Sequence, residues 1–367
     1  MIWVLVAIIL VVGILELAAI FMFHFNFKSF KVDLNQEHLP FVSILVAARN
    51  EEVNLEICLT ALSRLNYPRE KLEILIGDDA SDDSTADIIN RFCNADELFA
   101  AIKIELAYQN LVTKSKVLAQ MANIAKGEYV AFIDADMAAT PDWLLNMTAP
   151  LKEGYSIVSG YSKVIASKPF EKFQYYDWLN ALHFLKSLSD TFKPATALGN
   201  NMIVKLSDYQ EASGFEAIGP NLVEDLALLK SLQQKGKKAI QIVVEKGRAE
   251  TLAVTSFKFW ISQRKRWIKG ALNGPIYERV FLIVQRLMIP LGIVMAFFLP
   301  LIGLAIVGLK ISIEIFKSLQ MHGKTNKQKI EFFLIISPLI NSVMDTFALL
   351  GLFLIAQLSG RKEIIEQ

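Results

Sequence analysis

The segment EYVAFIDADM, residues 128–137, decides how the rest of the chain is read. Its run of apolar and aromatic residues, 129–133, suits a strand covered on both faces, as in parallel sheets. The segment then carries two carboxylates, Asp134 and Asp136, separated only by Ala135. A turn before Pro141 is one reading, because Asp is favoured in turns. Two acids this close repel each other unless a cation is shared between them. Hard divalent cations take carboxylate oxygens and bridge to phosphates, so a metal–diphosphate corner is the preferred reading.

Outward from this strand, short apolar runs alternate with helical patterns. Residues 41–47 precede an amphipathic 52–65, and residues 72–77 precede 84–92. Residues 102–107 precede 116–125, which leads into 129–133. This alternation predicts an α/β fold with a mostly parallel sheet and helices on both faces. Ligands of such sheets bind beyond the carboxyl ends of the strands, and here those ends are polar: ARNEE (48–52), DDASDDST (78–85) and DADM (134–137). Neither GxGxxG at a helix start nor GxxxxGK[ST] occurs, which excludes the two common glycine-rich phosphate loops. His24, His38, His183 and His322 sit in unrelated contexts, and no Ser-His-Asp or Cys-His set is suggested.

Ser81, Asp82 and Asp83 read as N-capping residues for the helix that follows. Asp78 and Asp79 sit at a strand tip, where acids hold ribose hydroxyls or base N–H groups. Further on, GPNLVEDLALLKSLQQKG (219–236) puts Glu224 and Asp225 at the start of an amphipathic helix. Acids there are stabilised by the helix dipole, and a general base at the mouth of the cleft is the functional alternative. In SFKFWISQRKRWIKG (256–270) Gln263, Arg266 and Trp267 share one helical face. Phe257, Trp260, Ile261 and Ile268 form an apolar stripe, as expected of an interfacial helix on anionic lipid. The two readings are compatible because they use different residues.

The 367 residues allow one large domain with extras, or two domains, and 53% are hydrophobic, which points to membrane segments. The net charge of +1 provides no field for nucleic acid. Cys58 and Cys93 form neither a metal-ligand spacing nor a disulfide framework, which suits a reduced, cytosol-facing catalytic part. Residues 2–23 are long and apolar enough to cross a bilayer. No Lys or Arg precedes them, whereas Lys28 and Lys31 follow, so an uncleaved anchor with a cytoplasmic domain after it is expected. Glu16 within that span is costly unless it faces another helix, which suggests packing against the C-terminal segments. Residues 281–309 and 330–358 are apolar, with prolines at 290 and 300 in the first zone. Residues 310–329 between them carry five lysines against one Glu and read as a basic loop. Two single crossings would place that loop outside, against the charge rule, unless each zone is a hairpin or re-entrant pair.

The order ARNEE, DDASDD, DAD, ED and QRKRW resembles the membrane-bound family 2 glycosyltransferases, the branch of cellulose synthase, hyaluronan synthase and ceramide glucosyltransferase. The resemblance covers roughly residues 40–275. It implies a GT-A nucleotide-sugar fold and inversion at the anomeric centre. Together with the apolar runs, it gives an expected layout of an anchor at 1–25, a cytoplasmic transferase domain at 38–255 and an interfacial helix at 256–279. Membrane segments at 280–309 and 330–358 and the loop at 310–329 complete the expected layout. Carried over, it makes Asp78 and Asp79 nucleoside contacts, with Ala48 and Glu51 lining the same pocket. Lys114 would meet the diphosphate, Asp134 and Asp136 would hold Mg²⁺ or Mn²⁺, with Asp136 the direct ligand, and Asp225 would be the base beside Glu224. Arg266 would approach the diphosphate, while Gln263 and Trp267 border the acceptor. Ala80 replaces a usual glycine, a change expected to be mild because Ala fits most backbone conformations. Ala119 replaces a usual Asn, removing one contact near the donor. GNNM, residues 199–202, matches a segment before the base helix and would shape the acceptor pocket, although an ordinary turn explains Gly199 equally well.

The resemblance implies an enzyme at the inner or plasma membrane that moves a sugar, UDP-linked by preference, to a lipid or lipid-linked hydroxyl. The alternatives are a processive synthase acting on a growing glycan, and an inactive nucleotide-sugar-binding protein. The processive form would gain its pore from partner subunits or from a homo-oligomer.

Overall fold

The computed structural model describes residues 2–105, 107–219, 223–271, 276–325 and 331–358. The chain divides into two compact units. One comprises Asn26–Val164 and Leu185–Leu252; the other comprises the chain up to Phe25, Ile165–Phe184 and the chain from Ala253 onward.

After helix α1 (Ile2–Asn26), the first unit contains β1 (Val42–Ala48), α2 (Leu55–Ser63), β2 (Leu72–Asp78), α3 (Thr85–Ala95), β3 (Phe99–Ile102), α4 (Thr113–Ile124) and β4 (Tyr129–Asp134). Next come β5 (Met137–Ala139), α5 (Trp143–Thr148), β6 (Ile157–Ser159), β7 (Tyr161–Ile165) and α6 (Pro169–Thr191), a helix shared between the units. The unit ends with β8 (Asn201–Lys205), α7 (Leu206–Glu211), α8 (Gly214–Ile218), α9 (Glu224–Gln234), β9 (Ala239–Gln241) and β10 (Arg248–Leu252). Among the described residues seven strands form one sheet in the order β3-β2-β1-β4-β8-β6-β9. Only β8 runs against its neighbours, so the sheet is mostly parallel, as expected. Strands β5, β10 and β7 form a small second sheet.

The period of two explains why the central strands are apolar at most positions on both faces. Val42, Ile44 and Val46 of β1, with Ala131 and Ile133 of β4, join a core with Leu55, Cys58, Leu59 and Leu62 of α2. Leu45, Val130 and Phe132 point the other way, to Val117, Leu118 and Met121 of α4. With both faces covered, neither strand has a place for a charge until its ladder ends. One strand lies earlier than expected: β3 occupies Phe99–Ile102, not residues 102–107. Phe99 meets Phe92 edge-on at 5.4 Å and pairs with Ile74, so this aromatic contact sets the register.

The second unit holds α1, most of α6, α10 (Phe257–Ala271), α11 (Ile276–Ala296), α12 (Pro300–Thr325) and α13 (Phe333–Leu358). Among the described residues, Ile2–Asn26, Arg279–Ala296 and Phe333–Phe353 are long and apolar enough to cross a membrane. Residues 280–309 break at Pro300 into α11 and α12, which approach closely at Gly303. A Cβ there would lie 2.3 Å from the Ala296 nitrogen.

The expected basic loop is a correction. Helix α12 runs on to Thr325, and residues 326–330 lie outside the described ones. Lys310 and Lys317 are buried rather than solvated, because both reach Glu16 of α1, at 2.9 and 2.7 Å. Gln285 of α11 donates a further bond to Glu16 at 2.9 Å. The packing that Glu16 required is therefore against α11 and α12.

Among the described residues Lys317 forms an ion pair with Glu16 alone, whereas Lys310 also pairs with Glu314 at 2.8 Å. Glu16→Leu should lower the stability of the solubilised full chain by about 3–5 kcal/mol, as for other broken buried pairs. Adding Lys317→Met, which leaves Lys310–Glu314 intact, should recover more than half of that loss. Thermal unfolding of both variants checks this, and a double variant no better than the single one would contradict it.

Candidate active site

Strands β2, β1 and β4 end at one level, with Ala48 opposite Asp78 and Ala47 opposite Asp134. The sheet order reverses between β1 and β4, and in open α/β sheets the crevice at such a reversal is where ligands bind. The loops after β1 and β2 are laced together there. The Asn50 N–H donates to the Ser81 hydroxyl at 3.0 Å, and the Asn50 side-chain oxygen accepts from the Asp82 N–H at 3.0 Å. The Glu51 and Glu52 N–H groups donate to Thr85 and Asp83, at 2.8 and 3.2 Å. Ser81 and Asp82 thus tie the loops together and do not cap α3. Asp83 does meet its first turn, accepting from the Thr85 N–H at 2.9 Å.

The two acids of the β2 tip part company. Asp78 accepts from the Ser81 N–H at 3.1 Å and the Ser81 hydroxyl at 2.5 Å, closing its own turn. Asp79 is only 5% exposed and lies 2.5 Å from Lys116 and 3.5 Å from Arg49. Its N–H donates to the Ala48 carbonyl at 2.9 Å, so Ala48 contributes backbone to this corner. Ala80 between them and Ser81 has φ 56°, in the left-handed region. The substitution for glycine is therefore not mild: a side chain there costs about 1–2 kcal/mol.

At the β4 tip, Asp134 pairs with Lys114, whose ammonium also donates to the Gly199 carbonyl at 3.1 Å. Burial, then the nearby Asp134 and Glu51 carboxylates, push Asp136 up to about 6. Glu51 accepts a bond from the Asn54 amide at 3.0 Å. The Cys58 thiol below donates to the Asp134 carbonyl at 3.6 Å and is pushed well up by burial and these acids, so it is no ligand at neutral pH. Asp134 and Asp136 are the residues that could hold a metal, and their hard oxygen donors suit Mg²⁺ or Mn²⁺. Among the described residues no three His, Cys, Asp or Glu side chains form a cage, so water and phosphate oxygens would complete the shell.

Antiparallel β8 brings the residues before it back beside the β4 tip, and the Asp134 N–H reaches the Asn200 carbonyl at 3.4 Å. Gly199 then links two charges. Its carbonyl accepts from Lys114, and its N–H donates to the Asp225 carboxylate at 2.7 Å. A Cβ on Gly199 would lie 2.9 Å from the Asp225 Cβ, so the close approach needs glycine. Asp225 sits in the first turn of α9 and also accepts from the Leu226 N–H at 2.7 Å. Burial raises its pKa even though both N–H groups and Lys114 favour the anion, and burial raises that of Glu224 as well. Burial alone would lower Lys114, but Asp134, Glu224 and Asp225 outweigh it and raise it. Ala119 is fully buried in the α4 core.

Lys116 and Arg49 are the residues that reading by sequence missed. Lys116 stands two places beyond Lys114 in the first turn of α4, where the helix dipole disfavours cations and no acid is present. Two lysines in such a position are the signal that could have found it.

Gln263, Arg266 and Trp267 belong to the second unit, on α10. Trp260, Arg264 and Ile268 form the buried stripe of that helix, whereas Phe257, expected in the stripe, is exposed. Arg264 pairs with Asp177 at 2.9 Å and with Asp345, and lies 4.7 Å from the Trp260 ring. Trp267 is partnered by Trp178 of α6, with ring centroids 5.6 Å apart.

A mostly parallel sheet with acids at adjacent strand tips and on the first turn of a nearby helix is the GT-A architecture of nucleotide-sugar transferases. The model of glycosyl transferase family 2 matches residues 43–211, and that of glycosyl transferase family group 2 matches residues 129–356. The chain belongs to glycosyl transferase family group 2. It is 28% identical over 256 residues to a probable glycosyltransferase of Bacillus subtilis, YdaM, covering 64% of this chain and 56% of that protein. It is 28% identical over 243 residues to the beta-monoglucosyldiacylglycerol synthase of Trichormus variabilis, covering 64% and 50%. The matched region thus spans about half the length of these curated relatives. Among solved structures, the Pyrobaculum calidifontis mannosyltransferase PcManGT in complex with GDP-Man and Mn²⁺ shares the fold at a TM-score of 0.55 and 16% identity, over 86% of this chain and 98% of that one.

Ala80→Gly should relieve the left-handed strain, offset by about 0.4–1 kcal/mol of glycine entropy. The expected net gain is about 0.5–1 kcal/mol, or roughly 1–4 °C in the unfolding midpoint. A lower midpoint than wild type would mean that the turn is not strained.

Proposed function

We propose that this chain transfers a sugar, with inversion, from a nucleoside diphosphate sugar to a hydroxyl of a lipid or lipid-linked acceptor at the membrane surface, with UDP as the preferred nucleotide. The observation that carries the reading is the position of Gly199. Its carbonyl accepts from Lys114, which pairs with Asp134, and its N–H donates to Asp225, so one residue ties an anion-binding cation, an acidic corner and the candidate base together.

Lys114 and Lys116 at the start of α4 add charge to helix N–H groups that already favour a phosphate. Asp79, held by Lys116, and the backbone around Ala48 and Glu51 would take the nucleoside, while Asp78 keeps the turn closed. Asp134 and Asp136 would hold Mg²⁺ or Mn²⁺, which when bound offsets the negative charge that grows on the departing diphosphate. Asp225, made more basic than an ordinary carboxylate by its burial, takes the proton of the acceptor hydroxyl. The oxygen attacks the anomeric carbon opposite the leaving diphosphate, and Glu224 keeps the field around the base negative. Arg266 is assigned a diphosphate-neutralising role, and Gln263 and Trp267 an acceptor role. The three helices fit to cross a membrane and the glucosyldiacylglycerol-synthesising relatives support a lipid acceptor.

Asp225→Asn should bind nucleotide sugar as wild type does yet transfer it about 10²–10⁴-fold more slowly. Donor binding is read by thermal shift with a panel of nucleotide sugars and Mg²⁺ or Mn²⁺, and transfer by labelled lipid product. Wild-type transfer by this variant would remove Asp225 as the base, and a long polymer as product would favour the processive alternative. Gly199→Ala should push Asp225 aside and cost at least about tenfold in transfer, with donor binding less affected. Equal losses in both would tie Gly199 to donor binding instead.

A further inference from the structure

The end of α6 and the chain just beyond α1 border a second cleft in the first unit, made of none of the acids described above. It is a cavity of ≈ 320 Å³ lined by Lys28, Lys193, Lys237 and Lys238, with Tyr155 and Phe192, and no Asp or Glu lines it. Lys237 is neutralised by Asp208 at 2.7 Å and Glu211 at 2.6 Å. Lys28, Lys193 and Lys238 form no ion pair among the described residues.

The wall that carries Lys28 is held firmly. Its N–H donates to Asp190 at 3.0 Å, and its carbonyl accepts from Lys186 at 3.1 Å. Lys186 and Asp190 themselves form a fully buried pair at 2.7 Å. The Asn26 amide donates to the Thr191 hydroxyl at 3.0 Å, and the Lys186 ammonium lies 4.8 Å from the Phe27 ring centroid. A buried ion pair contributes little net stability, but here it fixes the backbone that presents Lys28. Across the cleft, Gly236 with φ 74° turns the chain ahead of Lys237 and Lys238.

Three unpaired ammonium groups around one cavity repel each other, and a multi-oxygen anion relieves that repulsion. Each ammonium offers three donors, and charge-assisted bonds to phosphate are among the stronger ones. The volume matches a small phosphodiester, at the low end of ligand cavities. The source of the phosphate follows from the chain. Lys28 comes two residues after an apolar helix long enough to cross a bilayer, and basic clusters at such positions attract anionic lipid. Phe192, 73% exposed at the rim, gives the cleft an apolar edge suited to acyl chains. We propose that this cleft binds the headgroup phosphate of an anionic phospholipid, independently of the transfer reaction.

The test uses the full chain in neutral detergent, titrated with dioctanoyl phosphatidylglycerol and followed by microscale thermophoresis. Saturable binding is expected, weakened at least about tenfold in the double variant Lys193→Glu, Lys238→Glu. Dioctanoyl phosphatidylcholine should not bind. Equal binding of the choline lipid, or undiminished binding by the variant, would overturn the site. Displacement of the lipid by an equal concentration of inorganic phosphate would overturn the lipid as its source. Both substituted lysines are exposed and unpaired, so the lipid-free unfolding midpoint should not move. If it falls, Lys193→Gln, Lys238→Gln is read against the same outcomes.

Discussion

In β2, β1 and β4 the parallel ladder carries Asp78, Ala48 and Asp134 to a common level before it stops. Below that level most positions lie in one of two apolar cores, and the one mid-ladder carboxylate, Glu73 of β2, is held by the buried Ser43 hydroxyl at 2.5 Å and by the Lys126 N–H. The tips of adjacent strands then carry the acids Asp78, Asp79, Asp134 and Asp136. Lacing between the loops after β1 and β2 fixes where Asp79 stands, and the turn into β5 fixes Asp136. The antiparallel strand β8 adds what parallel strands cannot, an incoming chain at the same edge. Through it Gly199 arrives beside Asp134. The position of Asp225 on α9 is thus referred to the sheet through one glycine.

This edge is electrostatically uncomfortable as it stands. Lys114 and Lys116 occupy the end of α4 where cations are disfavoured, and Asp136 shares its surroundings with Asp134 and Glu51. Such conflicts with local preference concentrate at functional sites, where a ligand resolves them. A metal-bound diphosphate would do so on both sides, since its cation answers the acids and its oxygens answer the lysines. Ala80 adds backbone strain to the same loop.

Reading by sequence recovered the sheet and its acids because both follow from short-range pattern. Tyr129–Asp134 is apolar and then acidic for a reason that six residues contain. Lys116 was not legible in the same way, because its importance lies in a pairing with Asp79 across 37 positions of chain. Ala80 was misjudged because a residue name does not disclose φ, and the turn demands the left-handed region whatever side chain occupies it. Strand β3 was placed too late because Leu98 and Phe99 are the fully buried residues there, whereas Ile102 and Ile104 pack only partly buried against the other core.

The reading of a loop failed over residues 310–325 for a more instructive reason, since the pattern was present. Gly303, Ile306, Lys310, Ile313, Lys317 and Met321 are all buried in α12, at spacings of three and four. That is the spacing of a helix face packed in a bundle, with lysine at two of its inward positions. Counting lysines as evidence for solvent hid the period, because a charge is assumed to be wet until its partner is known. The partner was in the same sequence, at Glu16, where it had already been marked as costly to bury alone. Treated separately, the acid and the lysines each looked like an exception. Treated together, they form a buried pair that fixes α12 against α1 and needs neither a loop nor an unpaired charge.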